Sequence, residues 1–370
     1  MRVLIATATA GAGHLQAANA LEEAWTAWRP GDEVKKVDVL DYTPGVFRKA
    51  YSEGYAKLVA RVPEAYAAVF ERTDDPRRAK RSAPLRRRVG RTAARGFVRL
   101  VDAFKPDVVL APHFLPLEIL GGPDRGPGPL LVSVVTDFEA HAYWMDPAVG
   151  LTCVAAPETK ARLVERGVPA RSVAVTGIPV SRRFSAAPSR AEARRLHGLR
   201  DDAPVLLVLA GSFGMGPVAE VVAALGRAPG PLQLVVVCGR NESLRARVAT
   251  LEHPHPTRVL GFTKEIPSLM SAADLVVTKP GGLTVSESLA LGRPLLIVHP
   301  IPGQEAANSD FLLEHGAAAK AGRPEDLPSR VRALLGGPRL AAMALAAKAL
   351  GKPRAAEAVC RLAYKKAGGR

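Results

Sequence analysis

Residues suited to handling an anionic, hydroxylated ligand concentrate between Ala273 and Asn308, in the stretch ADLVVTKPGGLTVSESLALGRPLLIVHPIPGQEAAN. A short β-branched run, Leu275 to Thr278, predicts a buried strand. Lys279-Pro280-Gly281-Gly282 breaks it, and Thr284-x-x-Glu287 has the spacing of a capping box opening an apolar-periodic helix. A glycine turn feeding a helix presents free backbone N–H groups and a positive dipole end, which suits a phosphate. Glu287, about one turn further in, is placed to reach a ribose. Leu295 to His299 predicts the next strand, and the loop beyond it carries Gln304, Glu305 and Asn308, polar groups for a hydroxylated moiety past the phosphates. Strand–Gly-Gly–helix turns also occur for purely structural reasons, with Glu287 then the capping partner of Thr284. Three amide or carboxylate side chains in the loop after the next strand are harder to explain by packing, and they favour a ligand site.

A second set of chemical residues lies near the start. Arg2 to Ala6 predicts a strand, followed by Ala10-Gly11-Ala12-Gly13-His14 and an amphipathic helix with Leu15, Ala18, Leu21, Ala24 and Trp25 at helical spacing. The dinucleotide fingerprint G-x-G-x-x-G/A fails here because Gln16 stands where the third glycine belongs, although Asp38 and Asp41 lie near the end of the second strand. His14 falls at a helix N-terminus, whose dipole favours neutral imidazole. A neutral imidazole facing a cleft can take a proton from an attacking hydroxyl. The competing role is a polar cap or a buried, hydrogen-bonded histidine.

These residues need a scaffold of alternating strands and helices. Predicted strands at Val34 to Leu40, Val108 to Ala111, Leu130 to Thr136, Cys153 to Ala156 and Val173 to Thr176 give a first βα series. A proline- and arginine-rich joint, Ile178 to Pro204, separates it from a second series. That series has strands at Val205 to Ala210, Leu232 to Cys238 and Arg258 to Leu260, then the stretch described above. Only helical patterns follow Pro324. The expected architecture is α/β, with two Rossmann-like domains facing across a cleft. Their bounds are 1–180 and 204–340, with a 181–203 linker and terminal helices over 341–370 that return to the first domain.

A chain of 370 residues exceeds one typical core, and 48% hydrophobic with 23% charged residues marks it as globular. The net charge of +16 and pI near 10.1 point to an anionic partner. Three widely spaced cysteines, Cys153, Cys238 and Cys360, make neither a disulfide framework nor a zinc site. No stretch approaches the ~20 apolar residues of a membrane span.

The motifs resemble a known family. Gly11-Ala12-Gly13-His14 with Gln16-Ala17-Ala18, Val135-Thr136-Asp137-Phe138 with His141 and Trp144, Gly167-Val168-Pro169, and Val175-Thr176-Gly177-Ile178-Pro179 are followed by the 273–308 stretch. Their order is that of the monogalactosyldiacylglycerol synthases and bacterial processive diacylglycerol glucosyltransferases. The resemblance spans residues 1 to about 320, weakest over Tyr42 to Arg99. It implies the GT-B fold and inverting transfer of a hexose from a UDP-sugar to diacylglycerol. It also implies that Phe262 and Thr263 sit at the uracil and that Glu287 binds the ribose. Gly281, Gly282, Leu283 and Thr284 would lie at the diphosphate, with Ser212 nearby, while Gln304, Glu305 and Asn308 would contact the sugar or hold its loop. On the same basis Gly13 lies at the substrate, His14 is the base, and Asp137 orients it or the acceptor. No metal and no cofactor beyond the UDP-sugar are expected; no Asp-x-Asp occurs in the chain. Relatives in the peptidoglycan branch place an arginine soon after the Gly-x-Pro turn, whereas here Ser181 precedes Arg182 and Arg183.

A lipid acceptor requires a membrane-facing surface. Phe47, Tyr51, Tyr55, Leu58 and Val62 form a helical stripe within Tyr42 to Phe70, and Arg72 to Arg99 sets eleven basic residues, densest at Arg86-Arg87-Arg88, against only Asp74 and Asp75. Interfacial aromatics beside arginines suit a peripheral anchor on an anionic membrane at its cytoplasmic face. The alternatives are a core stripe and a solvated charged face. No nucleic-acid-binding motif accompanies the charge, so nucleic acid is not an expected partner. Rival readings are a transferase using another lipid-linked acceptor, a UDP-sugar epimerase of the same fold, and a non-catalytic nucleotide-sugar-binding protein.

Overall fold

The structure, a computed structural model, describes all residues except 10, 52–53, 55–61, 123–127, 212–213, 215 and 370. The chain divides into two compact units. One comprises Met1–Arg182, Pro302–Gln304 and Arg354–Arg370; the other comprises Arg183–Ile301 and Glu305–Pro353.

The first unit is built on a parallel six-stranded sheet in the order β2-β1-β3-β4-β5-β6. Its strands are β1 (Arg2–Thr7), β2 (Glu33–Asp38), β3 (Val108–Ala111), β4 (Leu130–Val134), β5 (Val149–Val154) and β6 (Val173–Val175). β3 is a continuous apolar run, and β4 is apolar apart from the buried Ser133; both are buried on both faces, as parallel strands covered by helices must be. Helix α1 (Ala12–Trp28) presses Ala17, Ala18, Leu21, Ala24 and Trp25 into one side. The last helix of the chain (Ala355–Lys366) shares that core through Val359, Cys360 and Ala363. The described residues between β2 and β3 include the helices α2 (Pro63–Thr73), α3 (Pro76–Ala93) and α4 (Arg95–Phe104). Asp74 and Asp75 mark the break between α2 and α3. Asp74 takes a two-pronged ion pair from Arg166, both contacts at 2.8 Å, and the backbone N–H of Ala142 at 2.7 Å. Phe47 and Tyr51 pack on the core, whereas Val62 is exposed; Tyr55 and Leu58 lie outside the described residues.

The second unit repeats the plan with order β12-β11-β10-β7-β8-β9, all pairs parallel. Its strands are β7 (Val205–Leu209), β8 (Gln233–Val237), β9 (Thr257–Leu260), β10 (Leu275–Thr278), β11 (Leu295–Val298) and β12 (Ala318–Ala321). β12 escapes sequence reading because Ala-Ala-Lys-Ala has little strand propensity; it is a strand because it hydrogen-bonds in register along the β11 edge. Asp274, just before β10, binds Arg190 and the fully buried Arg194 at 2.7 and 2.6 Å and accepts from Val205 N–H at 2.7 Å.

Both sheet orders contain a switch point. The chain leaves β1 toward β2 and returns on the other side at β3; it leaves β7 toward β8 and β9 and returns at β10. In open α/β sheets ligands settle at the carboxyl end of strands beside such a switch.

Candidate active site

At the switch point of the first sheet, the first turn of α1, which follows β1, carries His14, and the loop after β3 carries Pro112 and His113. Helix α1 starts early, with Gly11 as an extended N-cap, so His14 is its third residue. His14 Nδ1 lies 2.9 Å from Pro112 O and 3.1 Å from Thr136 Oγ1. A carbonyl oxygen only accepts, so Nδ1 carries the proton and the Nε2 lone pair is left bare. Burial pulls the imidazole pKa below its usual value, opposed by the bond to Pro112. The neutral form expected from the helix dipole is therefore favoured mainly by desolvation. His113, 2% exposed, packs edge-on at 4.6 Å between ring centroids, and its Nδ1 accepts the N–H of Leu115 at 3.0 Å. Its burial, and secondarily the charge His14 would carry, hold it well below the usual histidine range. Pro112 and His113 were not singled out in the sequence because only the sheet order brings β3 beside β1. Asp137, partly buried, directly follows the Thr136 that contacts His14.

In the second unit, helix α5 (Gly282–Ala290) follows β10 with Gly281 as an extended N-cap and no side-chain cap. This corrects the capping-box expectation: Thr284 is the third residue of the helix, and Glu287 lies a turn beyond it. The first ring-closing bond is Val285 N–H to Gly281 O at 2.9 Å, leaving the amides of Gly282, Leu283 and Thr284 at the open end. Glu287, partly buried on that helix, is pushed up by burial to about 8, and no hydrogen-bond partner for its carboxyl occurs among the described residues. Such an uncompensated carboxyl marks a functional position more often than a structural one.

Phe262 is 53% exposed, with the Arg240 guanidinium 5.0 Å from its ring centroid. Thr263 Oγ1 accepts the N–H of Glu265 at 3.0 Å, so its hydroxyl is engaged in a local turn. Gln304 and Glu305 open the helix Gln304–Glu314. Glu305 Oε2 accepts the N–H of Ile301 at 2.9 Å, and its Oε1 lies 3.7 Å from Lys279 Nζ. Asn308 is fully buried and donates to Pro280 O at 3.0 Å. That bond ties the helix Gln304–Glu314 to the turn after β10. Ser212 lies outside the described residues. Arg182 faces Glu357 at 3.9 Å and Arg183 faces Glu265 at 3.7 Å.

Comparison with known proteins places this geometry. Residues 14–180 match the monogalactosyldiacylglycerol (MGDG) synthase family, and residues 205–359 match the glycosyltransferase family 28 C-terminal domain. The processive diacylglycerol beta-glucosyltransferase of Bacillus cereus is 30% identical over 371 residues, covering 96% of this chain and 91% of that enzyme. The chain belongs to the processive diacylglycerol glucosyltransferase family. The Bacillus subtilis member is 30% identical over 90% of this chain and 87% of its own length. The Bacillus pumilus member is 34% identical over a shorter region, 64% of this chain and 62% of that enzyme. Among solved structures, Acinetobacter baumannii MurG aligns over 98% of this chain and 99% of its own, with TM-score 0.61 and 20% identity. The Staphylococcus aureus MnaA–UDP structure aligns over 98% and 96%, with TM-score 0.64 and 14% identity. These likenesses establish the GT-B fold of this family member.

The basic segment divides by direction. Arg86 Nε donates to Glu118 at 2.7 Å, Arg87 Nη2 to Asp146 at 2.9 Å, and Arg91 to the carbonyls of Ile119 and Gly121 at 2.9 and 2.7 Å. Those arginines fasten α3 to the first unit. Arg77, Arg78, Arg81 and Arg88 are solvent-exposed, and so are Leu85 and Val89 of the same helix, at 68% and 50%. Two of the three residues in the Arg86-Arg87-Arg88 run are thus structural. Among the described residues, no single helix is long and apolar enough to cross a membrane.

Proposed function

We propose that this protein transfers a hexose, with inversion, from a UDP-sugar to diacylglycerol at an anionic membrane surface. In a member of this family, one observation carries the reading. His14 has its Nδ1 committed to a backbone carbonyl, so its neutral imidazole offers a bare Nε2 to an acceptor hydroxyl. The acceptor oxygen attacks the anomeric carbon and its proton passes to Nε2. The bond from that carbon to the β-phosphate oxygen breaks, and UDP leaves with the electron pair. Asp137 orients the acceptor, while Gly13 allows close approach of the backbone at the head of α1.

On the donor side, the free amides of Gly282, Leu283 and Thr284 receive the diphosphate, with Gly281 keeping the turn open. Glu287 takes the ribose hydroxyls, Phe262 and the Thr263 backbone the uracil, and Gln304 and Glu305 the sugar. The activity for which the relatives are named supports diacylglycerol as acceptor, and the neighbours solved with UDP or UDP-glucose support the donor class.

The outer face of α3 is the membrane-contacting surface in this reading: Leu85 and Val89 enter the interface while Arg77, Arg78, Arg81 and Arg88 meet anionic headgroups, each worth about 1 kcal/mol near the surface. The cytoplasmic leaflet is the corresponding site of action. Incubation with each labelled UDP-hexose and diacylglycerol vesicles, followed by lipid chromatography and anomer assignment, tests the function. A labelled β-glycosyldiacylglycerol is expected; absence of any labelled lipid with every donor overturns the reading.

A further inference from the structure

At the switch point of the second sheet, Gly216, after β7, lies beside the turn after β10. A Cβ on Gly216 would lie 4.0 Å from Lys279 Cδ, so the lysine stem runs past Gly216. Lys279 O accepts the N–H of Gly281 at 3.0 Å, which sets the lysine directly before the open helix end. Gly216, Pro217, Lys279 and His299 line a pocket above the ends of β7, β10 and β11. His299 is held there at φ 46°, a left-handed conformation that a non-glycine residue rarely adopts.

The Lys279 side chain is only 18% exposed, and its sole ion pair among the described residues is the 3.7 Å contact with Glu305. That is about 0.8–1 Å longer than a charge-assisted hydrogen bond. Glu305 spends its other oxygen on Ile301 N–H. A desolvated ammonium with one long contact is an unfavourable arrangement unless a further anion completes it.

We propose that Lys279 is the cation that receives the diphosphate of the donor and stabilises the charge growing on departing UDP. This rests on the function proposed above and assigns to a lysine the phosphate-neutralising role for which Arg182 and Arg183 were the sequence candidates. Lys279 and the three helix amides then act on the same group from adjoining turns, and the lysine contributes most when the bond to the β-phosphate oxygen is breaking.

The test compares ligands that differ in phosphate number. Uridine, UMP and UDP are titrated calorimetrically into the wild-type chain, K279M and K279R, with folding of each verified by circular dichroism. K279M is expected to lose about 10- to 100-fold in UDP affinity, the range of a charge-assisted contact. Its uridine affinity should stay within about twofold, and K279R should recover most of the UDP loss. UDP binding by K279M equal to wild type overturns the assignment, as does an equal loss of uridine and UDP, which would make Lys279 a support for the Glu305 loop. Failure of the wild-type chain to bind UDP at all would instead remove the donor reading itself.

Discussion

His14 Nδ1 and the carbonyl oxygen of Pro112 are 2.9 Å apart, across the one gap in the first sheet where consecutive connections diverge. That single bond decides which imidazole nitrogen is basic. It also ties the base to the first residue after β3.

Replacement of His14 by alanine should lower turnover by about 100-fold or more and leave UDP affinity within about twofold, because general-base catalysis contributes 10²–10⁴ and the donor groups are elsewhere. Steady-state kinetics and UDP titration separate the two quantities. Since the folded imidazole pKa is depressed, the acidic limb of kcat/KM should lie below pH 6.5. A limb above that value would contradict a buried neutral base.

Glu287 predicts a proton linkage. Its carboxyl holds a proton in the free protein up to about pH 8, and ribose hydroxyls donating to it would favour the carboxylate. UDP binding at pH 7 should therefore release close to one proton, seen as a binding enthalpy that varies with buffer ionisation enthalpy. E287Q should abolish the variation.

The same group affects stability with a definite sign. Its folded pKa is raised above the ordinary value of 4.5, so between the two the native state keeps a proton that the unfolded chain has lost. This contribution is full below about 4.5 and declines as pH climbs through about 8. Denaturant titrations should show E287Q gaining stability relative to wild type as pH rises across that window. Parallel curves would mean that the carboxyl is ionised when folded.

Within α3 the arginines should separate into two phenotypes. R87Q removes the partner of Asp146, which is 8% exposed, and should destabilise by about 3 kcal/mol, the scale for breaking a largely buried pair. The triple substitution R77Q/R81Q/R88Q should leave the melting temperature nearly unchanged and weaken binding to anionic vesicles, most at low salt. Vesicle binding that survives the triple change would move the membrane surface elsewhere.

Two identical S/T-x-x-E patterns show how far a linear pattern reaches. Ser189 caps its helix as a full capping box with Glu192, whereas Thr284 and Glu287 share the spacing and do not. Pro280 and Gly281 let the second helix begin three residues earlier, and tertiary contacts such as Asn308 to Pro280 O hold that early start. Glu287 is thereby relieved of a capping duty.

By itself the sequence determined the alternating strand and helix plan, the glycine turns and the likeness to a glycosyltransferase family. Those features depend on side-chain periodicity and backbone freedom, which are local. Tertiary structure decided which strands neighbour one another, and so brought Pro112 and His113 to His14 and Gly216 to Lys279. It also decided which arginines of the basic run point inward and made a strand of Ala318–Ala321. Each of these depends on pairing and burial between residues far apart in the chain, and no spacing along it encodes them.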